Sequence, residues 1–195
     1  LYEFYSSVGD YGDSTPDLNR TYPLWVFDAS GDYLNSLQRN DPEFWTRFFK
    51  RVADGGETAV FINLAAPAWN LISEHIPDVG LGFGALEPSD SCDIPKDAGR
   101  FLTDIPPNDL RSFANANPGA IPDAILATDL PKNAWVTAPP IVARLPLVDG
   151  EIFSIQVEWP QSGEPASRRL WARLLTAWNV EIKPTVRSKN INLRE

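Results

Sequence analysis

Cysteine, which can act as a catalytic nucleophile, and histidine, which can act as its base, each occur once in the chain, as Cys92 and His75. The neighbouring Asp90 and Asp93 disfavour a Cys92 thiolate because they carry like charge, which opposes activation of the thiol. His75 ends a predicted amphipathic helix beside Glu74, where a single histidine is usually structural. One residue of each type also excludes an intrachain disulfide and a His-pair zinc motif. We therefore predict no catalytic residue among them.

Carboxylates suggest two further chemistries. Asp28 and Glu158 lie near predicted strand ends, and a glycosidase needs two carboxylates roughly 5 to 10 Å apart. Acids at strand ends are also ordinary helix caps and loop anchors, and this second interpretation is favoured. Closely spaced aspartates that offer oxygen ligands for calcium are Asp10, Asp13 and Asp17, and Asp90 with Asp93. Their intervals match no known calcium-binding loop, so no metal site is predicted.

Three glycines within residues 80–84 could form a phosphate-binding loop. Such a loop follows a strand, opens a helix and carries either a Lys-Ser/Thr pair or the six-residue dinucleotide pattern. None of these features accompanies residues 80–84. The sequence therefore predicts a flexible loop here and no cofactor.

Seven tryptophans are the one compositional excess. Those that recur on periodic apolar faces predict core or interface packing, and they are Trp25, Trp45, Trp171 and Trp178. Those predicted in loops or at strand ends near proline are Trp69, Trp135 and Trp159. An indole ring at such a position stacks on a sugar or packs against a neighbouring domain. Packing is favoured, and the same three rings are the candidate carbohydrate-binding residues.

The charge balance excludes several partners. The chain has 17 Lys+Arg against 26 Asp+Glu, for a net charge of -9, which repels nucleic acid and anionic membrane surfaces. No apolar run of about 18 residues is present to span a membrane. The chain begins at Leu1 and contains no methionine, which we interpret as a processed, trimmed or excised piece of a larger polypeptide.

Hydrophobic periodicity predicts the elements that position these side chains. Strands are predicted at residues 24–28 and 58–64, with a helix from about residue 42 to residue 54 between them, so the two strands should be parallel. A short helix is expected at residues 67–76, and residues 77–118 should be largely loop with a short helix at 108–115. Strands at 135–136, 141–147 and 151–157 follow, with a turn at 148–150 that predicts a hairpin.

A helix led by Pro165 and an edge strand at 180–186 complete the predicted order. The fold class is α/β, a mostly parallel sheet with helices on both faces and an antiparallel hairpin near the C-terminus. Residues 1–20 are predicted as an irregular arm, 21–187 as a single domain and 188–195 as a polar tail.

Three stretches carry a resemblance to a known family. They are residues 44–64 (FWTRFFKRVADGGETAVFINL), 101–113 (FLTDIPPNDLRSF) and 142–180, which ends in PASRRLWARLLTAWNV. In this order they resemble the class I glutamine amidotransferase-like domains that accompany large glycoside hydrolases of the family 2 β-galactosidase type. The resemblance implies a flavodoxin-like sheet and a role in architecture or oligomer contacts. An active amidotransferase places its cysteine on a tight, glycine-flanked turn, which Cys92 lacks.

The predicted function is a non-catalytic, amidotransferase-like scaffold domain of a secreted or periplasmic glycoside hydrolase, with other domains or subunits of that enzyme as partners. One alternative is a carbohydrate-binding module that presents exposed tryptophans to a glycan. The other is a small stand-alone hydrolase that depends on carboxylates. The first alternative requires coplanar solvent-facing rings, and the second requires a deep pocket with at least two acids.

Overall fold

A computed structural model gives the structure of the protein and describes residues 4–5, 15–29, 32–75, 81–85, 89–116, 123–127, 133–157 and 164–180. Its strands are β1 (Phe4–Tyr5), β2 (Leu24–Asp28), β3 (Thr58–Ile62), β4 (Leu81–Ala85), β5 (Asp123–Ala127), β6 (Trp135–Val136), β7 (Val142–Pro146) and β8 (Glu151–Ile155). Its helices are α1 (Tyr33–Asn40), α2 (Phe44–Gly55), α3 (Ala66–Ser73), α4 (Gly99–Leu102), α5 (Pro107–Ala116) and α6 (Pro165–Ala177).

The main sheet has six strands in the order β1-β2-β3-β8-β7-β6. The strands β1, β2, β3 and β8 are parallel, whereas β7 and β6 pair with their neighbours in antiparallel orientation. A separate two-stranded sheet joins β4 to β5. The fold is therefore α/β with a mostly parallel sheet and a β7–β8 hairpin near the C-terminal end, consistent with a flavodoxin-like arrangement, as the sequence predicted.

Successive side chains of the central strands enter opposite cores. In β2, Trp25 and Phe27 belong to one core, whereas Leu24 and Val26 belong to the other. Side chains of α1, α2 and α3 complete the first core, and side chains of α4, α5 and α6 complete the second. Because both faces of the sheet are covered, the central strands read as continuous apolar runs. The predicted helices on both faces are confirmed.

The α2 helix is defined by signals at both of its ends. Asp41 Oδ1 accepts a hydrogen bond from Glu43 N at 3.2 Å just before the first turn. Phe44 and Phe48 then recur at helical spacing and are buried. Gly56 ends the helix in the left-handed conformation, with φ 65°, where glycine carries no Cβ penalty. The helix predicted from about residue 42 to residue 54 is confirmed.

The turn between β7 and β8 docks on the last turn of α2. Asp149 N donates to Ala53 O at 2.9 Å. Gly150 is buried beside it, and a Cβ on Gly150 would lie only 2.1 Å from Val52 O. This approach of two backbones is possible only for glycine. The hairpin turn therefore fixes α2 against the sheet.

Two segments of the described chain differ from the sequence-based expectation. Residues 33–40 form α1, for which no helix was predicted. Leu81–Ala85 was predicted as a flexible loop and is instead β4, because it pairs over its whole length with Asp123–Ala127. The loop prediction was wrong because it depended only on nearby residues, whereas this strand depends on pairing with a distant segment.

Near the termini, the structure describes only part of what was predicted. Phe4–Tyr5 pairs in parallel with β2 inside the region predicted as an irregular arm. The predicted edge strand at 180–186 and the polar tail lie outside the described residues, apart from residue 180. None of the helices in the described residues is long and apolar enough to cross a membrane.

Candidate functional site

The turn from β3 into α3 carries a residue in the left-handed conformation. Asn63, with φ 53°, directly follows the last residue of β3, and α3 begins at Ala66. Its backbone N donates to Ile155 O at 3.0 Å, which ties the turn to the end of β8. Asparagine tolerates this conformation better than most residues with a Cβ. The carboxyl end of a central parallel strand thus presents an amide side chain whose buried Oδ1 has no protein hydrogen-bond partner in the described structure.

A second amide fixes the backbone next to this turn. Gln156 is 1% exposed, and its Nε2 donates to Leu64 O at 3.0 Å while its Oε1 accepts from Leu64 N at 2.8 Å. The buried Thr137 hydroxyl donates to Pro139 O at 2.6 Å and accepts from Ile141 N at 3.1 Å. Ligands of α/β sheets usually bind at this carboxyl edge. Here Gln156 and Thr137 hold backbone groups.

The structure separates Cys92 from His75 by placing them on different cores. Cys92 is half-buried and packs against the second core, and its pKa is raised by burial and by the charge of Asp93, while Arg111 lowers it. His75 follows α3 and stacks on Phe49 of the first core, with ring centroids 5.5 Å apart. A raised pKa disfavours the thiolate that a nucleophile needs. The two residues therefore form no catalytic pair.

The acidic residues that were considered for catalysis or calcium binding end a strand, form local hydrogen bonds or lie outside the described residues. Asp28 ends β2, and Glu158, with which it was considered as a catalytic pair, lies outside the described residues. Asp17 accepts hydrogen bonds from Asn19, at 3.0 Å from the backbone N and 3.1 Å from the side-chain Nδ2. In the described part of the chain, no group of three or more His, Cys, Asp or Glu could hold a metal ion.

The structure describes only some of the remaining calcium candidates. Asp10 and Asp13 lie outside the described residues. Asp93 exchanges two backbone hydrogen bonds with Ala138, at 2.7 and 2.9 Å, and Asp90 O accepts from Arg111 Nη1 at 2.6 Å. These contacts hold the segment around Cys92 against α5 and against the chain that precedes β7.

Two of the candidate carbohydrate-binding tryptophans are core residues. Trp135 lies on β6, is 2% exposed and packs with Phe101 and Phe153 in a cluster of three aromatic rings. Trp69 lies on α3 and is 9% exposed. Stacking on a sugar requires an open ring face, and neither residue offers one. Because these residues were expected in loops or at strand ends, their burial was not predicted. The third candidate, Trp159, lies outside the described residues.

The tryptophans predicted to pack do so. Trp25, Trp45 and Trp171 are each 1% exposed. Trp178 is partly buried against the second core, with its ring centroid 5.0 Å from that of Phe153. The aromatic excess of the sequence is therefore accounted for mainly by the two cores.

A cleft of about 320 Å³ lies between residues 15–19 and the N-terminal half of α2. Its lining residues are Thr15, Leu18, Asn19, Asp41, Phe44, Arg47 and Arg51. The Arg47 side chain is 59% exposed and donates from Nη2 to Asp41 Oδ2. Phe44 is fully buried, so the cleft offers mainly polar groups to a ligand.

A buried ion pair fixes the far wall of this cleft. Arg51 donates from Nε to Glu57 Oε2 at 3.0 Å and from Nη2 to Glu57 Oε1 at 2.6 Å. Trp25 Nε1 also donates to Glu57 Oε2, at 2.7 Å, and the Arg51 guanidinium lies 5.7 Å from the centroid of the Trp25 ring. Arg51 Nη1 donates to Leu18 O. One guanidinium thereby joins residues 15–19, α2 and the start of β3.

Comparison of the chain with protein-family models, curated proteins and solved structures gives no significant match. The residues and geometry described above therefore carry the functional inference.

Neither Asn63 nor the arginine cleft was singled out from the sequence. The signal for Asn63 is an asparagine between an apolar strand and a Pro-led helix start, which is compatible with a left-handed turn. Arg51 occupies the apolar stripe of α2, and its burial depends on Glu57, six positions further along the chain. A charged residue within such a stripe signals a buried partner.

Proposed function

We propose that the chain is a non-catalytic accessory domain of a carbohydrate-active enzyme of the glycoside hydrolase type, acting in domain packing or oligomer contacts. The observation that carries this proposal is Asn63. A sharp strand-to-helix turn is where α/β hydrolases present a nucleophile. At the corresponding turn of this chain, the side chain is an amide, which is neither a nucleophile nor a general base.

The surrounding groups support the same conclusion. Gln156 and Thr137 are committed to backbone hydrogen bonds, and the raised pKa of Cys92 opposes its activation. The burial of Trp69 and Trp135 weighs against the glycan-platform alternative for these two rings. The class of the parent enzyme comes from the resemblance of the three sequence stretches. With it we propose an extracellular or periplasmic location and, as partners, other domains or subunits of that enzyme.

The test uses the natural polypeptide that contains this chain. Its mass and its hydrolysis of aryl β-glycosides are measured beside those of the 195-residue chain alone. We expect the natural polypeptide to be larger and active, and the isolated chain to hydrolyse neither aryl glycosides nor glutamine. Activity of the isolated chain, or a natural polypeptide consisting of this chain alone, would refute the proposal.

A matched substitution tests the role of the turn. Asn63→Gly preserves the left-handed backbone and removes the side chain, so kcat of the natural enzyme should stay unchanged. A loss of about 100-fold in kcat with an unchanged circular dichroism spectrum would make Asn63 a catalytic residue.

A further inference from the structure

Arg47 and Arg51, which line the cleft, keep N–H groups that no protein atom accepts in the described part of the structure. A guanidinium has five N–H groups and no acceptor. Arg51 uses one N–H from each of its three nitrogens, on Glu57 and Leu18, which leaves two. Arg47 uses one, on Asp41, which leaves four. A ligand that satisfied this cleft would have to bring acceptor oxygens.

The charges around the cleft are paired. Arg47 and Arg51 contribute two positive charges, and Asp41 is the one carboxylate among the described lining residues. Glu57, which is 4% exposed and not among those residues, compensates Arg51 from the core side. A ligand anion therefore gains its contacts by replacing Asp41 on Arg47 and by reaching the remaining N–H groups of Arg51, not from an excess of positive charge. The net charge of -9 repels long polyanions from the molecule as a whole, so the ligand has to be small.

The two arginines are also suited to act together. They lie four residues apart on α2, so they occupy adjacent turns of one helix face. Arg51 is held in place by three contacts, which lowers the entropy lost on binding. Arg47 is exposed and free to exchange Asp41 for a ligand oxygen. Asn19 and Thr15 add neutral polar groups at the opposite wall.

We propose that this cleft is a binding site for a small-molecule oxyanion, a carboxylate or phosphate group, which Arg47 and Arg51 bind through charge-assisted hydrogen bonds. The volume of about 320 Å³ lies at the lower end of the range of small-molecule sites and suits one monosaccharide-sized ligand. In the free protein, Asp41 occupies Arg47 and acts as an internal competitor. This site is separate from the accessory role proposed above and does not depend on it.

Isothermal titration calorimetry on the full chain at constant ionic strength tests the proposal with inorganic phosphate, acetate and D-glucuronate. D-glucose serves as the uncharged control for glucuronate. We expect saturable binding of the anions and none of glucose. Binding of phosphate alone would assign the site to phosphate groups, and preference for glucuronate over acetate and phosphate would assign it to sugar acids. Absence of saturable binding of all three anions would overturn the proposal.

We expect three single substitutions to change the affinity for anions in different ways. Arg47→Gln should weaken anion binding about tenfold, the loss of one charge-assisted contact. Asp41→Asn keeps the acceptor for Glu43 N but removes the competing charge, so it should tighten binding about threefold or more. Arg39→Gln is the matched control, because Arg39 pairs with Asp32 on α1 and does not line the cleft.

If circular dichroism shows that all variants fold, their anion affinities either support or overturn the proposed site. Weaker binding in Arg47→Gln, tighter binding in Asp41→Asn and no change in Arg39→Gln support the site. Equal affinities in all four proteins, or equal losses in Arg47→Gln and Arg39→Gln, would mean unspecific attraction to positive charge and would overturn it.

Discussion

Substitution of Gly150 by alanine should be among the most damaging single-methyl changes in this protein. The new Cβ would lie 2.1 Å from Val52 O and 2.8 Å from Glu57 O, both backbone atoms that cannot rotate away. Overpacking of this kind costs about 1 to 3 kcal/mol. If the turn moves to relieve the contact, the hydrogen bonds from Asp149 N to Ala53 O and from Glu151 N to Glu57 O weaken, at about 1 kcal/mol each. By either route, we therefore expect the free energy of unfolding to fall by about 2 to 3 kcal/mol.

The matched control is Gly55→Ala, in the last turn of α2. An added Cβ there lies 3.5 Å from the Glu57 side chain, which is an ordinary van der Waals contact, and the residue is helical. This variant should be stabilised by about 0.5 to 1 kcal/mol. Urea unfolding followed by tryptophan fluorescence measures both variants. A Gly150→Ala protein within about 1 kcal/mol of the parent chain would refute the account of the docked turn.

Two further predictions concern ionisation. The raised pKa of Cys92 leaves less thiolate at a given pH, so iodoacetamide should modify it several-fold more slowly in the folded chain than in urea-unfolded chain near neutral pH; an equal or faster folded rate would contradict this. Burial raises the pKa of Tyr33 to about 12 from 10.0, so the neutral phenol contributes stability that is present below pH 10 and lost as the pH rises towards 12. Between about pH 8 and about pH 11, the parent chain should lose about 1 kcal/mol more of its free energy of unfolding than Tyr33→Phe, and equal losses would exclude the effect.

The elements that were predicted from the sequence are those with a strong local signal. The α2 helix is preceded by Asp41 and Glu43, carries an apolar stripe and ends before Gly56, and β3 follows as an unbroken apolar run. The β7–β8 hairpin was predicted correctly because its turn contains Gly150 between two apolar strands. Periodicity and turn chemistry act over a few residues, so the printed sequence is enough to find them.

The errors arise where distant contacts override local preference. The pairing of Leu81–Ala85 with Asp123–Ala127 joins segments about 40 residues apart, and no local pattern announces it. Trp135 was correctly expected at a strand, but the burial of its ring depends on contacts with Phe101 and Phe153, which come from α4 and β8. The candidate site was missed for the same reason: the cleft lies between α2 and residues 15–19, and Arg51 contacts Leu18, 33 positions away.

The position of β8 has a consequence for how the chain is synthesised. β8 inserts between β3 and β7, and its first residue, Glu151, meets Thr58, 93 positions earlier. Until the ribosome has released that strand, one backbone edge of β3 has no partner and is open to pairing with other nascent chains. Translation that stops before Glu151 would therefore yield an aggregation-prone fragment rather than a smaller folded unit. Cooperative folding of these elements must wait until β8 and α6 have been synthesised.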